Sequence, residues 1–358
     1  MNQQLLADQL GISRTTVSRC FTNHPGINPV TRAKVFKLAA QLGYQHMEMR
    51  APTKPRRAKV HTVGVLICTE IEEYLRADYQ SPGVQLSAGV SEFAQLHGIR
   101  LELHYTAPQD ITLDAPSYRK LEALDRRTWD GIILIYPFPR DVVDDLQMRF
   151  PVVSLVEQPG GASLNCVDVD HFKGIDTIIN RLVTLGHREI GFYTRRYEPE
   201  ALWSLRRFSA YFEKLTRMGA PLEKDNVVGV YSRPGLSVEE SVEAVYQRIQ
   251  SGVRAWVCAA DHQAYDLIAA MQKRGLRIPQ DVSITGFDGI EKPEWAPLLT
   301  TAVIPYREIG FTGGKRLLDL MRKRFGSAQH ILVASRLREG ETTTASEVVP
   351  SESSDAQR

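Results

Sequence analysis

Leu10-Gly11-Ile12-Ser13-Arg14-Thr15-Thr16-Val17-Ser18-Arg19 decides the fold of the N-terminal segment, because it reads as the turn and second helix of a helix-turn-helix. Gln4 to Leu10 hold no helix breaker and set Leu6 and Leu10 four apart on one face. Gly11 ends that helix, since glycine enters the left-handed region at little cost. Ser13 caps the next helix by accepting from the amide of Thr15 or Thr16. Ile12 before the cap and Val17 at the fourth helical position have the spacing of a hydrophobic staple. The exposed face is then Arg14, Thr15, Ser18 and Arg19, whose guanidinium and hydroxyl groups suit guanine edges and phosphates.

The residues that follow extend the pattern. Pro25-Gly26 makes a turn, Asn28 is an N-cap, and Pro29 takes the first helical position, where a missing N–H does no harm. Val35, Leu38, Ala39 and Leu42 recur at helical spacing and Gly43 ends the run, so the first 44 residues hold three short helices around a small core. Leu10-Gly11-Ile12-Ser13, Thr16-Val17-Ser18-Arg19, Pro25-Gly26-Ile27-Asn28, Thr31-Arg32 and Leu42-Gly43-Tyr44 together resemble the lactose-repressor (LacI/GalR) family of bacterial transcription regulators. The resemblance places Ser13, Arg14, Thr15, Thr16, Ser18, Arg19 and Asn28 at the DNA.

Charge points the same way. Residues 1–60 carry six arginines and four lysines against Asp8 and Glu48, a net +8; the whole chain of 358 residues sums to +2, so the remainder carries −6. A basic head on an acidic body supplies the phosphate neutralisation on which non-specific DNA affinity rests. The four cysteines at 20, 68, 166 and 258 are too scattered for a zinc site or a disulfide framework, and read as buried free thiols of a reducing compartment. No apolar run reaches membrane-spanning length and the N-terminus is not signal-like, which implies a cytoplasmic, nucleoid-associated protein with no membrane partner.

From residue 61 onward strands alternate with helices, the texture of parallel sheets covered on both faces. Strands are expected at 63–67, 101–105, 131–135, 152–155, 189–193, 227–230, 255–258 and 282–285, with helices over 83–97, 171–185 and about 200–218. Asp130-Gly131-Ile132-Ile133, Leu185-Gly186-His187-Arg188, Arg207 with Tyr211, Gly286-Phe287-Asp288 and Pro297-Leu298-Leu299-Thr300-Thr301 resemble the same family's effector domain. The resemblance implies a periplasmic-binding-protein-like body: two doubly wound α/β lobes, three crossing segments and a ligand in the cleft. The chain is accordingly divided into a helix-turn-helix domain at 1–46, a basic hinge at 47–60, a two-lobed effector-binding and dimerisation domain at 61–340, and a disordered polar tail at 341–358. The hinge departs from the family: Gln45 to Thr53 lack the expected proline, asparagine and leucine in register, leaving Met47 or Met49 as the apolar wedge or the segment extended.

Ligands of open parallel sheets meet the carboxyl ends of strands. Asp288 matches the family aspartate that takes sugar hydroxyls, and a carboxylate suits a polyol because it accepts two hydroxyl hydrogens at once. Asp261 lies in a pair that is Asn-Asp in relatives and Ala260-Asp261 here, and Arg207 matches an arginine reaching the ligand from a long helix, with Arg206 beside it. Other roles stand beside these: a helix cap for Asp261, a surface ion pair for Arg207, a turn for Asp288. Phe287 and Trp203 are candidates to stack on an apolar ligand face.

No nucleophile elbow, metalloprotease motif or dinucleotide fingerprint is present, and Gly310 to Lys315 falls one residue short of a phosphate loop, with Arg316 in place of Ser/Thr. That segment reads as an amphipathic helix with Ile309, Leu317 and Leu320 inward. The expectation is a non-enzymatic, cofactor-free regulator that binds a palindromic operator as a homodimer and answers to a sugar-like effector. Closure of the lobes on that ligand would respace the heads. The alternative is a solute-binding or sugar-modifying protein with a vestigial head.

Overall fold

The computed structural model describes residues 3–21, 26–42, 60–69, 81–119, 128–156, 163–195, 202–230, 235–324 and 326–346. The chain forms two compact units, residues 1–59 and 60–358, each with its own core. Apart from Val60, the hinge segment 47–60 lies outside the described residues, as does Gly43.

The head holds α1 (Gln3–Leu10), α2 (Arg14–Phe21) and α3 (Pro29–Gln41). Its core is Leu6, Ala7, Val17, Cys20, Val35 and Ala39, with Leu10, Ile12, Leu38 and Leu42 packed against it. Gly11 has φ +62° and ends α1, while the Ile12 amide returns to the Ala7 carbonyl at 3.0 Å. Ser13 Oγ accepts from the Thr16 amide at 3.0 Å and Asn28 Oδ1 from the Val30 amide at 2.8 Å. Both caps are therefore present, and each satisfies a donor that a helix start would otherwise strand.

The body holds two six-stranded sheets. The first lobe uses β1 (Thr62–Cys68), β2 (Arg100–Thr106), β3 (Gly131–Ile135), β4 (Val152–Leu155), β5 (Asn165–Val169) and a late strand, β11 (His330–Val333). The second uses β6 (Gly191–Tyr193), β7 (Val227–Val228), β8 (Ala255–Cys258), β9 (Ser283–Asp288), β10 (Thr300–Val303) and β12 (Arg336–Arg338). The orders are β11-β5-β4-β3-β1-β2 and β12-β10-β9-β8-β6-β7. Every pairing is parallel except that of β12 with β10. Each order reverses direction once, between β1 and β3 in one lobe and between β6 and β8 in the other. A doubly wound sheet opens its ligand crevice at that point.

The helices are α4 (Pro82–His97), α5 (Arg140–Arg149), α6 (His171–Thr184), α7 (Leu202–Met218), α8 (Val238–Gln250), α9 (Asp261–Lys273) and α10 (Tyr306–Met321). The chain passes between lobes three times: at Asp170 between β5 and α6, at Ile304-Pro305 between β10 and α10, and at Ala334-Ser335 between β11 and β12. In α10, Ile309 and Leu317 are buried and Leu320 is packed on the core, the inward face expected of an amphipathic helix. α10 lies so close to α4 that a Cβ at Gly89 would stand 1.9 Å from the Arg307 carbonyl oxygen.

The structure corrects the sequence reading in several places. The strand expected at 189–193 begins at Gly191, that at 227–230 stops at Val228, and that at 282–285 runs on to Asp288. Residues 341–346 do not form a loose tail. The Thr342 carbonyl accepts from the Ile284 amide at 2.9 Å, its Oγ1 accepts from the Thr300 amide at 3.0 Å, and the Ser346 amide donates to Leu185 at 2.7 Å. Polar composition suggested disorder, but these polar groups satisfy amides at the end of a sheet. The four cysteines are free and buried.

Candidate functional site

Burial of Val17 and Cys20 fixes the orientation of α2, which leaves Arg14, Thr15 and Arg19 exposed and Ser18 half-buried. Ser13 and Thr16 sit at the helix start with their hydroxyl oxygens 2.8 Å apart. Asn28 is exposed but its Oδ1 is engaged in the cap, which leaves its amide nitrogen outward. The head also exposes Lys34 and Lys37 on α3, which add to its positive surface.

In the body, a cluster of residues from both lobes gathers around Arg207. Arg207, on the inward face of α7, is 4% exposed, and its guanidinium would be untenable there without acceptors. It has three: Nη1 donates to the Ala259 carbonyl, Nε to His171 Nδ1 at 3.3 Å, and Nη2 lies 3.0 Å from Asp288 Oδ1. Its guanidinium carbon also lies 4.7 Å from the Trp203 ring centre and 4.0 Å from that of Phe287. Since Arg207 donates to Nδ1, the His171 proton resides on Nε2, which donates to Asp168 Oδ2 at 3.1 Å. Burial pushes the His171 imidazole below its ordinary range, against the opposing pull of the Asp168 charge.

Asp288 receives a second bond, from the Tyr306 hydroxyl, also on Oδ1 and at 3.0 Å. Tyr306 begins α10, a helix of the first lobe, so this bond ties the lobes together at a crossing. Burial, with Asp288 next in weight, pushes the Tyr306 phenol well above its ordinary value. Among the described residues no hydrogen bond or ion pair engages Asp288 Oδ2. Asp288 also holds φ +139°, a conformation rare for a residue with a side chain.

Two expected ligand residues are placed elsewhere. Asp261 is fully buried, and its carboxylate accepts from the Gly289 and Ile290 amides at 2.7 and 2.9 Å and from the Thr301 hydroxyl. It caps no helix; it fixes the turn after β9 that holds Asp288. Burial, then the Asp288 charge, pushes its carboxyl up to about 7 against those three donors. Phe287 is also fully buried, wedged over Gly174 and behind Arg207, so it cannot stack on a ligand.

Arg206 and Arg207 part company. Arg206 reaches Asp168 at 3.2 Å on the flank, beside a cavity of about 320 Å³ bounded by Asp170, Phe172, Glu213 and Leu332. Sequence reasoning missed His171, Tyr306, Tyr136 and Arg195. Tyr136 follows β3 with φ +72°, and its hydroxyl accepts from the Gly83 amide at 2.8 Å and bonds Ser81 Oγ at 2.9 Å, closing the first-lobe side. Its position directly after a buried apolar strand at the switch point was the available signal.

These features define a two-lobed, doubly wound body of the periplasmic-binding-protein type, in a chain with a helix-turn-helix head. Residues 179–343 match the periplasmic binding protein-like domain. The chain is similar to the HTH-type transcriptional repressor MelR of Bacillus subtilis (strain 168), with 26% identity over 357 residues covering 94% of this chain and 96% of MelR. In structure it is similar to the transcriptional regulator CelR–cellobiose complex, with a TM-score of 0.66 and 20% identity over 96% of this chain and 99% of CelR. It is also similar to the lac repressor dimer bound to operator and the anti-inducer ONPF, with a TM-score of 0.63 and 20% identity over 95% of this chain and 98% of that one. The two structures speak to the fold. The chain is thus similar to transcription regulators of the lactose-repressor (LacI/GalR) type.

Among the described residues no helix is long and apolar enough to cross a membrane.

Proposed function

We propose that this protein is a ligand-responsive transcriptional repressor that binds a palindromic operator as a homodimer, with operator affinity set by a sugar-like molecule in the body's cleft. The observation that carries the reading is Asp288. It is a nearly buried carboxylate at the carboxyl end of β9, the neighbour of switch-point strand β8, held on one oxygen by Arg207 and Tyr306 and offering the other. Such an acceptor, backed by a fixed guanidinium, suits a polyol. Arg207 holds that carboxylate, and Trp203, against Arg207, presents an aromatic wall. CelR is solved with cellobiose, which supports the same ligand class here.

In the head, Arg14, Thr15, Ser18 and Arg19 are the groups we assign to the major groove, with Ser13, Thr16 and Asn28 at its phosphate edge. Two-fold half-sites require two heads, hence the dimer. We place the domain boundaries at 46 and 60, and the protein in the cytoplasm at the nucleoid, where its operator is. It has no catalytic role in this reading. The alternative of a solute-binding or sugar-modifying protein with a vestigial head does not fit a head whose caps and core are intact or relatives that are transcription regulators. By linkage, ligand and operator must change each other's affinity by one factor.

The test is a titration of the purified protein with DNA from upstream of its own gene against a scrambled control, at two salt concentrations, with and without sugars. Sequence-dependent binding that a sugar shifts is the expected result. Equal, salt-sensitive binding to both DNAs under every condition would refute it.

A further inference from the structure

Arg207 and Arg195 approach the second-lobe crevice in different states. Every nitrogen of Arg207 has a partner and its charge is met at 3.0 Å by Asp288. Arg195 stands two residues past β6, at the carboxyl edge of the β6/β8 switch point. Its Nε donates to the Tyr193 hydroxyl at 3.0 Å and its Nη1 to Asp266 Oδ2 at 2.8 Å. Its Nη2 is buried and has no acceptor among the described residues. A buried guanidinium nitrogen without an acceptor is costly, because both N–H groups of an Nη have lost water and gained nothing.

The surrounding charges sharpen the point. Asp266 is 58% exposed, so its pairing with Arg195 is screened by solvent. His262, in the first turn of α9, lies within electrostatic reach of Arg195, Arg207 and Asp288, and burial favours its neutral form. Asp261, the other carboxylate of this lobe's rim, is already saturated by three donors. Among the described residues nothing therefore accepts from Nη2 of Arg195.

We infer that the ligand of this cleft is a sugar derivative carrying an acidic group, a carboxylate or a phosphate, which Arg195 receives while Asp288 takes ring hydroxyls. This rests on the reading of the cleft as the effector site. A guanidinium presents a planar fork that matches such oxyanions, and a neutral hydroxyl would satisfy one N–H without meeting the charge. The span is suitable: β6 and β9 flank β8, and two strand spacings amount to about 10 Å. That separates an acid-binding end from a hydroxyl-binding end by roughly one substituted sugar ring.

The experiment measures binding of matched probes to the full chain by calorimetry: glucose, gluconate, glucuronate and glucose 6-phosphate, and the same sets built on galactose and mannose. Wild type is compared with Arg195→Met and Arg195→Lys, with circular dichroism and melting as the check on folding. In at least one set the acidic member should bind ten-fold or more tightly than its neutral partner. R195M should lose that advantage and R195K should keep part of it. Carboxylate and phosphate arms identify which oxyanion is read. Neutral sugars binding as well as the acids, an acid preference that survives in R195M, or no acid binding at 10 mM would each overturn the inference. The operator titration above decides the regulator reading separately, since a sugar-responsive operator complex with only neutral ligands leaves that reading standing.

Discussion

Asp288 and Arg207 meet at 3.0 Å with side chains 11% and 5% exposed, so each is the other's principal counter-charge in a nearly dry site. The pair is both a ligand platform and a structural dependency. Removing one member of a buried pair strands the other, at about 3–5 kcal/mol. Asp288→Ala should therefore lower the melting temperature as well as abolish the sugar response. Asp288→Asn, which keeps an acceptor for Tyr306, should lose the response with a smaller drop. Differential scanning calorimetry with ligand titration checks both, and an unchanged titration in D288A would remove Asp288 from the site.

Stability should fall on the acid side. Burial depresses His171, His187 and His262, so the native state refuses protons that the unfolded chain accepts near its ordinary histidine value of about 6.5. The stabilisation is complete above that pH and is lost as pH falls below it. Urea midpoints from pH 7.5 to 5 should decline, and His187→Asn should reduce the slope, since His187 is held by Ser283 Oγ and the Thr344 carbonyl at 3.1 and 3.0 Å. A flat profile would contradict this.

The head offers a separation of affinity from specificity. Thr15→Ala should alter base preference while leaving the salt dependence of operator binding largely intact, whereas Arg19→Ala should lower the salt slope by about 1 if it touches phosphate. Selection of binding sites from random DNA, repeated at two ionic strengths, reads both. An unchanged site in T15A would exclude Thr15 from base recognition.

Truncation after Gly340 should destabilise the body by about 1–3 kcal/mol for each amide it strands, those of Ile284 and Thr300 being the first. Chemical denaturation of the truncated chain is the measurement, and a wild-type midpoint would show the segment to be dispensable.

The head was legible because its signals are local: Gly11, Ser13 and Asn28 act within three residues of themselves. The central strands were legible as apolar runs. The strands at 165–169, 300–303, 330–333 and 336–338 were not, because they carry buried polar residues such as Asn165, Asp168 and Thr300 or lie half-exposed at sheet edges. Motifs singled out Asp288 and Arg207, which the structure brings together as an ion pair. His171 and Tyr306 meet Arg207 and Asp288 only through the crossings, which no short stretch of sequence records. The misplacement of Phe287 and Asp261 has the same origin, since adjacency in sequence does not say which side of a sheet faces the crevice.

The three crossings also set an order of events during synthesis. The first sheet receives its last strand from His330–Val333 and the second from Arg336–Arg338, so neither lobe has all its strands until nearly the entire chain has left the ribosome. The head, complete by about residue 42, owes nothing to those residues. Domains generally fold as they emerge, N-terminal first. A growing polypeptide would thus carry a finished DNA-binding module for almost 300 residues of translation before the part that senses a ligand exists.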